Sequence, residues 1–118
     1  MVISKDILKT YNINNPPLTQ LCRKKEIQQK YDIYNSNNQN KKKFIEKVKN
    51  ELKINNFYFH VNDFPYYTED NIVHYLVWYS DEQYLLEFVK NNKNILTYWV
   101  NNKNNSSIKE IKHAHIFI

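Results

Sequence analysis

The run Ile72-Val73-His74-Tyr75-Leu76-Val77-Trp78-Tyr79, followed at once by Ser80-Asp81-Glu82-Gln83 and the apolar set Leu85, Leu86, Phe88 and Val89, decides the fold. Its β-branched and aromatic residues predict a strand. Ser80 with Gln83 three residues later is a capping-box pattern, which predicts a helix over residues 81–90 whose apolar side packs on the strand. Strand-like runs of similar composition lie on both sides, at 57–62, 95–101 and 113–118. No regular strand-helix-strand alternation links them, so the sheet should be mainly antiparallel, with helices covering one face.

Upstream the periodicity is helical. Residues 4–11 predict a short helix and residues 19–34 a longer one, with Leu18, Leu21 and Cys22 and then Ile27, Tyr31 and Tyr34 at helical spacing. In residues 41–54, Ile45, Val48 and Leu52 form one stripe among lysines and glutamates. The expected fold is therefore α+β, with N-terminal helices, a four-stranded mainly antiparallel sheet and one further helix between strands. We expect residues 1–118 to form one domain, mainly helical over 1–55 and mainly sheet over 56–118.

There is no glycine in the chain, so turns must use Asn, Asp, Ser and Pro. Asparagine-rich runs at 12–17, 35–40, 91–94 and 101–107 accordingly mark the predicted loops. The abundance of Asn, Lys, Ile and Tyr, with Arg23 as the single arginine, matches A/T-rich codon usage and points to an AT-rich genome, that of a protist or a large virus. Part of the net charge of +5 then reflects codon bias. The charge is also uneven: residues 1–56 carry 12 basic and 5 acidic side chains, and residues 57–118 carry 5 and 7. Any nucleic-acid footprint would lie on the helical half, although phosphate-backbone binding usually recruits more arginine than this. The single Cys22 excludes an internal disulfide and a thiolate zinc site. No apolar run reaches the length of a membrane span and the first residues do not read as a signal peptide, so the expected location is cytoplasmic, or host-cytoplasmic for a viral protein.

Alternation along the strands predicts a candidate site, because residues two apart share a face. One face collects Ile72, His74, Leu76 and Trp78, then Ile95, Thr97, Trp99 and Asn101, then His113, His115 and Phe117. The opposite face reads Val73, Tyr75, Val77, then Leu96, Tyr98, Val100, then Ala114, Ile116, Ile118, the better candidate for a helix-packed core. The His/Trp/Asn face would then be partly open and form a pocket with the 62–67 turn. His74, His113 and His115 are the candidates for acid/base chemistry, and Asn62, Asp63, Trp78, Trp99, Asn101 and Ser107 for ligand binding. The first chemical reading is a phosphorylated or nucleotide-like ligand, with imidazoles on phosphate oxygens and indoles stacking on a ring. The others are a divalent metal on His74, His113 and His115 with Asp63, and a Ser107 or water nucleophile; none of the three has a motif behind it, and no metal is assigned. The plain alternative is buried, hydrogen-bonded structural histidines and core tryptophans. His60, on the face of Tyr58 and Asn62, reads as structural or surface, and Lys41-Lys42-Lys43 as a solvated helix start.

Asn62-Asp63-Phe64-Pro65-Tyr66, then Ile72, His74, Leu76-Val77-Trp78, then Tyr98-Trp99-Val100-Asn101, Ser107-Ile108 and His113, His115-Ile116-Phe117, resemble the fungal N-acetylglucosamine-induced protein family. Residues 15–23, which hold Leu18, Leu21 and Arg23 in an L-x-x-L-x-R pattern, and then Tyr31 are similar to that family's N-terminal region. The resemblance spans residues 7–118. It departs at Asn104-Asn105, where the family carries a proline-bearing loop, and before Lys41, where an Asn/Lys run replaces a YGS-like turn. The family's activity is unassigned, and its recurrent polar and aromatic positions imply the same set, from Asn62 to His115. Two function classes follow. In one, the domain binds or processes a phosphorylated sugar or nucleotide; in the other it is a non-enzymatic module whose lysine-rich half docks RNA or an acidic protein.

Overall fold

A computed structural model of the chain describes residues 1–101 and 108–118. Its elements run α1 (Lys5–Leu8), α2 (Lys25–Asn35), α3 (Asn38–Asn55), β1 (Phe57–Val61), β2 (His74–Tyr79), α4 (Glu82–Asn91), β3 (Thr97–Trp99) and β4 (His113–Phe117). The fold is α+β, with a four-stranded sheet in the order β1-β2-β4-β3 and every pair antiparallel.

Local chemistry sets most boundaries. The Ser4 hydroxyl caps α1 by accepting from the Ile7 N–H at 3.2 Å. Asn37 caps α3 through its side-chain oxygen, 2.9 Å from the Gln39 nitrogen, so this helix starts before the lysine run and carries it in its first two turns. Asn56 closes α3 in the left-handed region at φ 65°, and Asn71 adopts φ 71° before β2. In a chain without glycine, asparagine fills the positions where a left-handed residue is required.

Three expectations are corrected. α2 begins at Lys25 rather than near residue 19, because the preceding segment spends its backbone on a tertiary partner: the Tyr67 N–H donates to the Cys22 carbonyl at 2.9 Å. The cap of α4 is Asp81, whose carboxylate accepts from the Gln83 N–H at 3.2 Å. Ser80 instead ties β2 to the end of α3, its N–H donating to the Asn56 carbonyl at 3.0 Å.

The third correction concerns the layers. Helices cover both faces of the sheet, not one. On one face Val77, Tyr79, Ala114 and Ile116 pack with Leu85 of α4, as alternation predicts; Ile95, outside β3, joins this cluster rather than the histidine face. On the other, α3 lays Val48, Phe44, Ile45 and Leu52 against Trp78, Leu76 and Tyr58. Beside it the N-terminal segment packs Ile3 and Leu8 on Tyr66, Trp99 and Phe117. This face needs cover because its histidines alternate with large apolar rings. Burying a side chain of that size contributes about 1.5–3 kcal/mol. Among the described residues, no helix is long and apolar enough to cross a membrane.

Candidate functional site

The register of the central strand pair assembles the site. In β2·β4, His74 lies opposite Phe117, Leu76 opposite His115 and Trp78 opposite His113; in β1·β2, Tyr58 lies opposite Trp78 and His60 opposite Leu76. All four histidines of the chain therefore share one face. α3 covers one end of that face and the N-terminal segment the other, leaving a cavity of about 330 Å³ between them.

The sheet contributes His60, Leu76, Trp78, His113 and His115 to the lining, and the loop after β1 contributes Asn62, Asp63, Phe64 and Tyr66. Gln20 and Arg23 come from the segment before α2, Tyr31 and Tyr34 from α2, Lys41 and Phe44 from α3, and Asn101 and Ile108 from the β3–β4 connection. The loop is pinned at several points. The Asn62 side-chain oxygen accepts from the Phe64 N–H at 2.8 Å, the Asn62 N–H donates to the His74 carbonyl at 2.9 Å, and the Ile3 N–H donates to the Tyr67 carbonyl at 2.6 Å.

Arg23 supplies the buried side of the cavity's charge. Its Nε donates to the Phe64 carbonyl at 2.8 Å and its Nη1 reaches Gln20 Oε1 at 3.4 Å, both neutral oxygens. Its guanidinium lies over the Tyr31 ring at 4.1 Å and the Tyr66 ring at 4.9 Å. Lys41 adds a second cation and Asp63, exposed, one carboxylate.

The hydrogen-bond partners dictate each histidine's tautomer. His113 Nδ1 lies 3.1 Å from the Ile111 carbonyl, which can only accept, so Nδ1 carries the proton and Nε2 is an acceptor. Its ring stacks on Trp78 at 4.3 Å and lines the cavity. His60 Nδ1 likewise faces the Val61 carbonyl at 2.9 Å, and its Nε2 accepts from the Trp78 indole N–H at 2.8 Å. His74 is the reverse case. Its Nδ1 accepts from the Tyr66 N–H at 3.1 Å, so neutral His74 must carry its proton on Nε2, which points at His115 Nδ1 at 2.8 Å. His115 then holds its own proton on Nε2, facing Asn101 at 2.9 Å.

Burial keeps all four imidazoles neutral. It pushes His115 down to about 3, helped by neighbouring His113 and Arg23. His74 sits well below the usual imidazole range, first through burial and then through His115 and Arg23. Burial also lowers His113 against the opposing pull of the Ile111 carbonyl, and lowers His60 against those of the Val61 carbonyl and Asp63. The Tyr66 hydroxyl is raised by burial, opposed by Arg23 and by hydrogen bonds from Asn101 and the Leu21 backbone.

The sequence candidates divide into three groups. Asn62, Asp63, Trp78, Asn101, His113 and His115 line the cavity together. His74 and Trp99 stand behind its wall: His74 is 2 % exposed and holds His115, while Trp99 is fully buried and donates its indole N–H to Asn101 Oδ1 at 3.0 Å. Ser107 lies outside the described residues. Among the described residues no three His, Cys, Asp or Glu side chains converge as a metal-ligating set, since His74 and His115 turn ring nitrogens on each other. Sequence reasoning missed Arg23 and His60 as cavity-lining residues, and placed Tyr66 there only as part of the 62–67 turn. Being the single arginine was the one available signal for Arg23; His60 needed the β1·β2 register, which places it beside Trp78.

No family model matches the sequence, and no curated protein matches it. Among solved structures, the chain is similar to the crystal structure of HTC1, with 17% identity and a TM-score of 0.57 over 83% of this chain and 75% of that one. At that identity the likeness shows the fold alone, and function has to be argued from the site.

Proposed function

We propose that this domain binds, and can process, a small phosphorylated ligand of the sugar-phosphate or nucleotide class in the cavity between α3 and the N-terminal segment. The observation that carries the reading is the meeting of Arg23 and Lys41 with a wall of neutral, donor-bearing imidazoles and amides in one cavity of about 330 Å³. That volume lies at the lower end of the usual range for small-molecule sites, roughly 300–1,000 Å³. Cations and N–H donors suit phosphate oxygens, and the half-buried ring of Phe44 suits a sugar or base. His113 offers its Nε2 lone pair to a ligand hydroxyl, which is the arrangement a general base requires. Kinship with the N-acetylglucosamine-induced family and an AT-rich, cytoplasmic or viral origin belong to the same proposal.

The competing reading is a lysine-rich surface that docks RNA or an acidic protein. Lys41 of the 41–43 run faces the cavity, which draws one cation of that run toward a small ligand. Thermal-shift and calorimetric titrations with sugar phosphates and nucleotides test the choice. A ligand at 100 times its Kd stabilises the fold by about 2.7 kcal/mol. The shift should disappear in Arg23→Gln and persist in Lys42→Ala/Lys43→Ala. No shift across the panel, together with steeply salt-dependent RNA binding that needs Lys42 and Lys43, would overturn the proposal.

A further inference from the structure

Every buried side-chain nitrogen and oxygen among the described residues has a polar neighbour, yet around His74 and His115 the proton directions do not close. At one end of the chain of contacts the Tyr66 N–H can only donate, into His74 Nδ1. At the other the Trp99 indole N–H can only donate, into Asn101 Oδ1. Between them the His74 proton points to His115, and the His115 proton on Nε2 points at the Asn101 amide nitrogen, itself a donor. Turning the Asn101 amide over satisfies His115 but sets its NH₂ against the Trp99 N–H. Asn62 does not relieve the conflict. Its oxygen is taken by the Phe64 N–H, so its amide nitrogen, 3.4 Å from His74 Nε2, adds a further donor. Nor does Tyr66, whose hydroxyl receives from Asn101 and the Leu21 backbone. Among the described residues, two neutral imidazoles thus leave one N–H without an acceptor, at the wall where Asn101 and His115 face the cavity.

We infer that the part of the cavity wall where Asn101 meets His115, with Arg23 of the same cavity as countercharge, is an oxyanion subsite, which takes an acceptor-only ligand oxygen carried by a phosphoryl or carboxylate group. This rests on the cavity's proposed role in binding phosphorylated ligands, and names the end that holds the charge. Such an oxygen accepts the surplus N–H and closes the network. A donor such as an ammonium group would add to the conflict. Arg23 provides the countercharge: it lines the same cavity as Asn101 and His115, and its positive charge acts on the His115 ring. The His113 end, whose Nε2 is an acceptor, is left for the hydroxyl-bearing part of the ligand.

Inorganic phosphate is the probe. It is titrated into protein labelled with ¹⁵N in the histidine rings, with thermal unfolding followed in parallel. We expect the His115 Nε2–H resonance to move downfield and the His74 resonance to follow, while His60 stays in place. Asn101→Asp should weaken phosphate at least tenfold, because its carboxylate accepts from both Trp99 and His115 and repels the anion. The wild-type titration stands even if that variant fails to fold. Phosphate binding with the His115 ring unmoved, or undiminished in a folded Asn101→Asp, overturns the subsite. If a sugar phosphate raises the Tm while the His115 resonances stay still, the charged group sits elsewhere in the cavity; the subsite falls and the ligand class stands. If no phosphate compound, inorganic or organic, has any effect, both fall.

Discussion

A histidine in this protein is defined less by its identity than by the atom its first nitrogen meets. His60 and His113 each meet a backbone carbonyl through Nδ1, whereas His74 Nδ1 meets a backbone N–H. Two tautomers are therefore expected in one molecule: Nδ1–H for His60 and His113, Nε2–H for His74 and His115. Long-range ¹H–¹⁵N correlation spectra at neutral pH check this directly, and an Nδ1–H form of His74 would refute the assignment. Single residues were partly legible in the sequence. Strand alternation put His74, His113 and His115 on one face, but not which nitrogen would be used, because tautomer depends on backbone groups 8 residues away for His74 and 2 for His113. The structural partner of His60, the Trp78 indole, could not be read from the sequence because it lies on the neighbouring strand.

At the scale of elements, starts and stops follow local caps unless a distant backbone competes. α4 is capped by Asp81, so Asp81→Ala should cost about 1 kcal/mol in urea unfolding, within the usual range for losing an N-cap. The contribution of Ser80 is different. Its hydroxyl reaches the Asn56 carbonyl at 3.3 Å across an exposed junction, so Ser80→Ala should cost less than Asp81→Ala. The reverse ranking would reinstate the Ser80 capping box. Helix α2 shows the other regime. Residues 19–24 have helical spacing in sequence, but Cys22 and Arg23 bond to Tyr67 and Phe64, more than 40 residues away, and the segment stays outside the helix. That loss of one and a half turns delivers the only arginine to the cavity.

For the molecule as a whole, burying neutral imidazoles couples stability to pH. The unfolded chain binds protons to its histidines near pH 6.5, while the folded chain holds His115 neutral down to about 3 and His74 neutral well below the usual range. The unfolded state therefore carries more protons, and stability falls as pH falls below about 6.5. Each such histidine contributes a slope of about 1.4 kcal/mol per pH unit where only the unfolded form is protonated. Urea unfolding between pH 6 and 5 should show this loss, and a folded His115→Gln should show a slope smaller by one proton. A flat profile over that interval would contradict neutral burial. The loss should be offset by ligands that fill the cavity, since they bind only the folded state.

Local composition and alternation were enough to determine the α+β class, the four strands, the helix after β2, the asparagine-marked turns and which face of the sheet carries His74, Trp78, Trp99, His113 and His115. These depend on side-chain period and turn chemistry, which act over a few residues. Only the tertiary structure decided that both faces are covered, that His74 and Trp99 stand behind the wall while His113 and His115 line it, and that Arg23 and His60 join them. Those outcomes depend on strand register and on backbone hydrogen bonds between segments far apart in the chain. Their partners carry no mark in the sequence, because every backbone N–H and carbonyl is chemically alike until the fold places one against another.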